Sequence, residues 1–357
     1  MSLAARALTV STIAALVAVT FLLAWWTAEV LLVVFVGVVI ALALRGLADW
    51  LVVHTRMPAG LSVVVVALGA VGLLALAGWA LADEVAQQAG ELAERLPRAV
   101  GHVVERIGQT PWGQLLVARL PDAQSLMSPN VVTRATGALT TTLGITVGAL
   151  ANIVIVLFVA LYTALAPDVY RRGIVGLVPA RGRRRAEEIL HVLGVTLRRW
   201  FVGRLVAMII IGSLTALGLW LIGVPLALTL GLLAGLLNFV PYIGPLVSFL
   251  PAALLALGEG PTMLLWVGAL YLAVQTIESY VVTPLIEQQA VLLPPALTLT
   301  AQVMLGVVFG FPGLLLAAPL TAGAITLVKL LYVEGVLGED VEVPGDASAT
   351  STARRAA

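Results

Sequence analysis

Asn238-Phe239-Val240-Pro241-Tyr242-Ile243-Gly244-Pro245, with a further proline at Pro251, interrupts an otherwise apolar stretch over residues 226–257. Three prolines and a glycine within 14 residues cannot form a regular helix, because each proline removes a backbone donor and its ring clashes with the preceding turn. In water the freed carbonyls would simply be hydrated. In lipid they need partners, so a broken backbone survives only where it is buried in protein or borders a wet cavity. The surroundings decide which solvent applies.

Those surroundings are apolar. Of 357 residues, 61% are hydrophobic and 11% charged, against about half and about a quarter in a typical soluble domain. A soluble fold could not hide this excess. Runs of roughly 20 apolar residues, enough to cross a hydrocarbon core of roughly 30 Å, occur near 7–26, 29–47, 60–82, 138–166, 203–222, 226–257, 261–283 and 296–332. The reading is an all-α, polytopic membrane bundle of eight spans, with proline-broken or re-entrant segments in its C-terminal half. Trp25, Trp26, Thr27 and Glu29 separate the first two runs and predict a tight hairpin with an interfacial aromatic pair. The first run follows Arg6, exceeds the core of a cleavable signal and lacks a small-residue cleavage site, so it is expected to be retained.

Charge divides the chain into six regions. Residues 1–82 hold three spans. Residues 83–137 carry six acidic and five basic side chains, with Leu96, Val100, Val103 and Ile107 at helical spacing. That pattern predicts an amphipathic helical segment on the membrane surface, against a partner copy, or as a cap on its own spans. A single span follows at 138–166. Residues 167–204 contain nine arginines against Asp168, Glu187 and Glu188, a net +6. The positive-inside rule makes this a cytoplasmic loop, and its place between spans favours topology over nucleic-acid binding. Residues 205–333 hold the remaining spans, and 334–357 form a polar tail, disordered towards its end. Counting eight crossings outward from the basic loop puts both termini in the cytoplasm.

Chemistry centres on the interrupted segments. Glu278 lies inside an apolar span, sharing a helical face with Tyr271 and Gln275. An ionisable group there costs on the order of 2.5–3.5 kcal/mol even on the lenient insertion scale, so it marks a functional candidate. It could bind a cation, accept a proton or contact a polar solute; it could equally be a structural carboxylate bonded to Asn238 or to a freed amide. Further breaks lie at Pro294-Pro295 and through Gly310-Phe311-Pro312-Gly313 to Pro319, and Thr298, Gln302 and Gly306 form a polar, small-residue stripe. Such paired interruptions point to a transport site, with Asn238, Pro241, Tyr242, Gly244, Pro245, Tyr271, Gln275, Glu278, Thr298 and Gln302 along the path. Gly231/Gly235 and Gly306/Gly310 read as packing pairs, and Glu29, Glu259 and Glu287 as span-end residues.

Enzymatic readings find no foothold. There are no cysteines, three scattered histidines, and no HExxH, GxSxG or P-loop pattern. No cofactor or metal site is expected, and transport would draw on a gradient.

Asn238 to Pro245 resembles the signature of the autoinducer-2 exporter family, also described as PerM-like permeases. Glu278 with Pro284, Pro294 or Pro295, Gly306, Gly310, Gly313 and Ala318-Pro319-Leu320 are similar to its later motifs. The chain departs from the pattern at Glu287-Gln288-Gln289, where a basic residue is common, and at Met304-Leu305. The resemblance implies secondary transport in a bacterial inner membrane: export of a small polar solute or quorum-sensing signal by alternating access in some members, sodium or lithium exchange for protons in others. It also implies a homo-oligomer, pentameric where seen. A non-transporting membrane scaffold is the expectation from a different class.

Overall fold

The computed structural model describes residues 3–108, 147–284 and 294–339. Among these, every regular element is helical. Helix α1 spans Leu3–Thr55, α2 Ala59–Gly108, α3 Val147–Leu165, α4 Pro167–Gly176, α5 Arg183–Ile222, α6 Ala227–Leu237, α7 Ile243–Glu259, α8 Pro261–Ile277 and α9 Pro295–Val328. Short π-helical turns extend α8 over Glu278–Val282 and α9 over Lys329–Glu334. Five helices are long and apolar enough to cross a membrane, or six if the bent pair α3–α4 counts as one span. The chain is a multi-pass helical membrane protein.

The expected hairpin near residue 27 does not form. α1 is one helix of 53 residues, about 80 Å at 1.5 Å per residue. The reason lies in what separates the two apolar runs: Ala, Trp, Thr and Glu all tolerate a helix interior, and neither proline nor glycine occurs between Leu22 and Val36. Residues 1–82 therefore supply two helices, not three, and the cytoplasmic N-terminus, which rested on that turn, loses its basis. The boundary at 83 also disappears, because α2 runs unbroken for 50 residues through the change from apolar to amphipathic sequence. Of the 83–137 segment, residues 109–137 lie outside the described residues, as do 138–146, Glu287 and the end of the tail.

One end of the bundle is marked by arginine. The C-terminal part of α1, the start of α2 and the end of α3 share a cluster of Ala41, Ala48, Val63 and Ala164, and Arg45 donates to the Ala164 carbonyl at 3.3 Å. Gly46 lies against the Arg198 side chain of α5 and Gly194 against Leu42. Here α3 ends: Pro167 forces Ala166 out of helical geometry (φ −129°, ψ 56°), and α4 leaves at 87° to α3. The expected basic loop is thus α4 followed by the first half of α5.

The span expected at 226–257 is a helical hairpin. α6 has 11 residues and α7 has 17, about 17 and 26 Å long, and neither leg crosses a core of roughly 30 Å alone. Leu226, Ala227 and Leu230 of α6 share one cluster with Ala252, Leu255 and Ala256 of α7, together with Leu219 at the far end of α5 and Val267 of α8. Both legs therefore return to the end of the bundle opposite the arginines, and the turn 238–242 points inward. At the open end, the Thr229 N–H in the first turn of α6 donates to the side-chain Oε1 of Gln88 in α2 at 3.1 Å, so this part of the amphipathic segment packs on the protein's own hairpin.

α9 also folds back. Gly310 has φ 64° and ψ −147°, a conformation open to glycine alone without strain. A Cβ on Gly313 would fall 2.1 Å from the Leu305 carbonyl, a proximity impossible across eight residues of straight helix. Past the turn, Ala318 and Ala322 meet Trp200 of α5, and Leu327 packs on Ile189 and Val192. This second hairpin opens towards the arginine-rich end. The two hairpins enter the bundle from opposite ends.

Close helix contact is built on small residues, as the GxxxG spacing predicts for Gly231 and Gly235. A Cβ on Gly231 would lie 2.4 Å from the Ala216 Cβ, and one on Gly235 would lie 3.0 Å from the Gly212 Cα. Gly231→Ala should lower the apparent melting temperature in detergent by several degrees, corresponding to an overpacking cost of about 1–3 kcal/mol. Gly268→Ala, where nothing lies within 4 Å of the added carbon, should leave the melting curve unchanged.

Candidate functional site at the hairpin tips

The tip of the first hairpin shows where the backbone groups freed by Pro241 go. Proline cannot bond the Leu237 carbonyl, which instead accepts the Val240 N–H at 3.0 Å in a tighter turn. The Ile243 N–H turns to the Pro241 carbonyl at 2.7 Å, and the Phe239 carbonyl loses its helical partner. Arg204 supplies the substitute. Its Nε donates to the Phe239 carbonyl at 3.3 Å, and its Nη2 donates to the Asn238 carbonyl and, at 3.4 Å, to Asn238 Oδ1. Glycine at 244 is a steric necessity, since a Cβ there would sit 1.9 Å from the Leu237 carbonyl. Tyr242 takes φ 65°, a region costly for a side chain of its size. Pro245 falls in the first turn of α7, where its missing N–H has no intrahelical role.

Glu278 meets the same arginine. Arg204 Nη1 lies 3.4 Å from Glu278 Oε1, with the side chains 12% and 9% exposed, and Gln275 Nε2 donates to Glu278 Oε2 at 3.3 Å. The Glu278 carboxylate thus sits where α8 passes into its π-turn, balanced by one guanidinium that also holds the broken backbone. Arg204 stands six residues beyond Arg198 on α5, about 9 Å further into the bundle from the arginine-marked end.

The second hairpin reaches the first through Gln302, whose Nε2 donates to the Pro241 carbonyl at 3.0 Å. Gln302 and Asn238 are both fully buried. Their bonds fix which way each amide points, and the other atom of each, Asn238 Nδ2 and Gln302 Oε1, has no hydrogen-bond partner among the described residues. The junction therefore holds one buried donor and one buried acceptor unused, each costing about 1–3 kcal/mol while unsatisfied.

Of the residues expected along the path, Asn238, Pro241, Gln275, Glu278 and Gln302 gather in this cluster, with Tyr242, Gly244 and Pro245 shaping the turn beside it. Two belong elsewhere. Tyr271 donates to the Ser248 carbonyl at 3.1 Å and packs edge-on against Phe249, pinning α8 to α7. Thr298 bonds back to the Pro294 carbonyl of its own helix at 3.2 Å. Glu259 ends α7, as expected, whereas Glu29 lies on the exposed surface of α1 within an unbroken helix. No group of three or more potential metal-ligating side chains occurs among the described residues.

Arg204 is the residue that reading by charge overlooks. Counted with the basic loop, it is one positive among nine. Its distinguishing signal is position: Trp200-Phe201-Val202-Gly203 separate it from Arg199, and no charged residue follows it until Glu259.

A broken hairpin held by a buried ion pair thus lies at the core of a multi-pass bundle, the kind of interruption found at transport sites. Residues 14–332 match the family model described as "AI-2E family transporter". The chain belongs to the AI-2E transporter family. Among similar proteins, "Putative transport protein YueF" of Bacillus subtilis (strain 168) is 24% identical over 75% of each chain. "Putative transport protein YrrI" of the same organism is 27% identical over 46% of this chain and 47% of its own length, so that alignment spans about half of the relative. "Putative transport protein MT0215" of Mycobacterium tuberculosis (strain CDC 1551 / Oshkosh) is 33% identical over 36% of this chain and 35% of that one.

For this AI-2E family chain the geometry makes a direct energetic prediction. Arg204→Met leaves Glu278 buried without its countercharge and two carbonyls without donors. Breaking a buried pair costs about 3–5 kcal/mol. The single variant should melt well below wild type, whereas Arg204→Met/Glu278→Gln should recover part of the loss, read by thermal unfolding in detergent. Strict additivity of the two single changes would show that the residues do not act as a pair.

Proposed function

We propose that the protein is a secondary active exporter of a small polar solute, working by alternating access across a bacterial inner membrane, with its site where the tip of the first hairpin meets Gln302 in the first leg of the second. The observation that carries this reading is the pair of unused polar atoms at the junction, Asn238 Nδ2 and Gln302 Oε1, inside two hairpins that approach from opposite ends. A hydroxyl or amide can accept from the first and donate to the second. A solute seated there bridges the tip of the first hairpin and the leg of the second, and parting that tip from Arg204 or from Gln302 exposes it to one side of the membrane or the other.

Sodium or lithium exchange for protons has less support. A bare cation gains nothing from an Asn N–H, and the one carboxylate at the junction is already neutralised by Arg204. Glu278 suits a coupling role better: a proton on its carboxylate weakens the bond to Arg204 and with it the hold on the Asn238 and Phe239 carbonyls. Proton-driven export is therefore the coupling included in the proposal. Assembly into a homo-oligomer belongs to it as well; Leu68, Val71, Leu74 and Trp79 of α2 are exposed in the single chain and are available to lipid or to a second copy.

Proteoliposomes loaded with labelled small polyols test the reading. Glu278→Gln and Gln302→Leu should each cut proton-gradient-dependent flux by at least about tenfold, the scale of losing one or two charge-assisted or buried hydrogen bonds, while Glu259→Gln matches wild type. Wild-type flux in Glu278→Gln would remove that carboxylate from the mechanism. Sodium-dependent proton movement without polyol flux would replace export by antiport, and the absence of any flux would favour the scaffold.

A further inference from the structure

We infer that α4 is an in-plane membrane anchor that binds anionic phospholipid headgroups at the arginine-rich face of the protein. Three observations carry this, none of which involves the hairpin site.

The first is direction. α3 contains 19 residues, about 28 Å of helix, close to the thickness of the hydrocarbon core. α4 leaves it at 87° and must then run parallel to the membrane surface, at the depth where the span ends. The second is the pattern of its faces. Tyr170, Ile174 and Leu177 recur at helical spacing and are exposed, Leu177 to 87%. Val175, on another side of the helix, is buried against the protein. An apolar stripe left bare beside a spanning helix, at the interface, fits the acyl boundary and not water.

The third observation is charge. Asp168 and Arg172 lie across the helix from the stripe, and Arg171 flanks it. Asp168 is engaged locally: Arg171 holds its carboxylate at 3.0 Å and Arg172 Nε its carbonyl at 3.1 Å. Arg172 and Arg181 have no ion pair among the described residues, and Arg171 is shared with the exposed Asp168. A guanidinium beside an embedded stripe stands at phosphate level, and it binds phosphate through paired N–H donors. Together these specify anionic lipid as the occupant, in preference to a protein partner.

The chain has no cysteine, which makes site-directed labelling direct. Spin labels at Ile174→Cys and Leu177→Cys, in full-length protein in nanodiscs, should be reached by oxygen but shielded from a water-soluble nickel reagent, at a depth of about 5–10 Å. A label at Glu188→Cys should show the reverse. Nickel access at 174 and 177 would put α4 in water, and shielding from both reagents would mean that protein covers it; either result overturns the anchor. In native mass spectrometry the protein should retain phosphatidylglycerol over phosphatidylcholine. Arg172→Gln and Arg181→Gln should weaken that preference by roughly fivefold each, the worth of one arginine at an anionic surface, and Arg172→Lys, which keeps the charge but not the paired donors, should weaken it less than Arg172→Gln. Equal retention of the two lipids by wild type, or an unaltered preference in Arg172→Gln/Arg181→Gln, would rule out headgroup recognition.

Discussion

A carbonyl without a donor is tolerable in water and costs several kcal/mol in hydrocarbon. Pro241 creates this problem inside the bundle, and most of the architecture around it follows from how the problem is solved. The Phe239 and Asn238 carbonyls take hydrogen bonds from Arg204, and the Pro241 carbonyl takes one from Gln302. Each donor comes from a different element, α5 for one and α9 for the other, so the break ties the hairpin to its neighbours more firmly than an intact helix would. A regular helix satisfies itself and has no polar reason to touch anything. The broken one cannot exist alone.

Arginine is the donor the geometry requires. Its guanidinium presents several N–H groups in a rigid plane, which lets one side chain serve two carbonyls and a carboxylate. A buried positive charge needs compensation in turn, and Glu278 provides it at 3.4 Å. The carboxylate that looks anomalous within α8 is half of a neutral unit whose other half stands 74 residues earlier. The opposite end of α6 is secured without charge, by Gln88 on the Thr229 N–H, where α2 runs on beyond the apolar span. One short helix is thereby fixed at both ends by side chains from two much longer ones.

Much of this was legible before any coordinates. The prolines and glycine of 238–245 mark the turn, Glu278 and Gln275 mark the polar face of α8, and Gln302 lies on the stripe that reaches it. What composition could not resolve was connectivity. A run of 20 apolar residues reads alike as a span or as part of a longer helix, and α1 shows that one glutamate and two tryptophans do not stop a helix when nothing breaks its hydrogen-bond ladder. At 310–313 the glycines and proline mark a break, but not that the chain reverses there: Gly310, with access to positive φ, folds α9 back on itself. Arg204 stayed hidden because the positive-inside rule sums charges and ignores depth. Tyr271 and Thr298 were drawn in by helical spacing, which establishes a shared face but not how far along the axis the site extends.

The two tips differ in how they turn, and that difference bears on which of them can move. Gly310 adopts φ 64° at no steric cost, and a Cβ added there would meet nothing within 4 Å. Tyr242 adopts φ 65° with a full side chain, a strain of about 1–3 kcal/mol that lasts only while the surroundings enforce it. Those surroundings are the bonds from Arg204 and Gln302. The first hairpin is therefore held in a conformation it would leave on losing them, whereas the second rests in its own. In a cycle of the kind proposed, weakening the Arg204–Glu278 pair would release strain already stored at 242, so the same event that loosens the contacts also supplies part of the drive to rearrange. Conformational change would begin at the tip of α6 and α7, with the Gly310 hairpin as the fixed surface against which it opens.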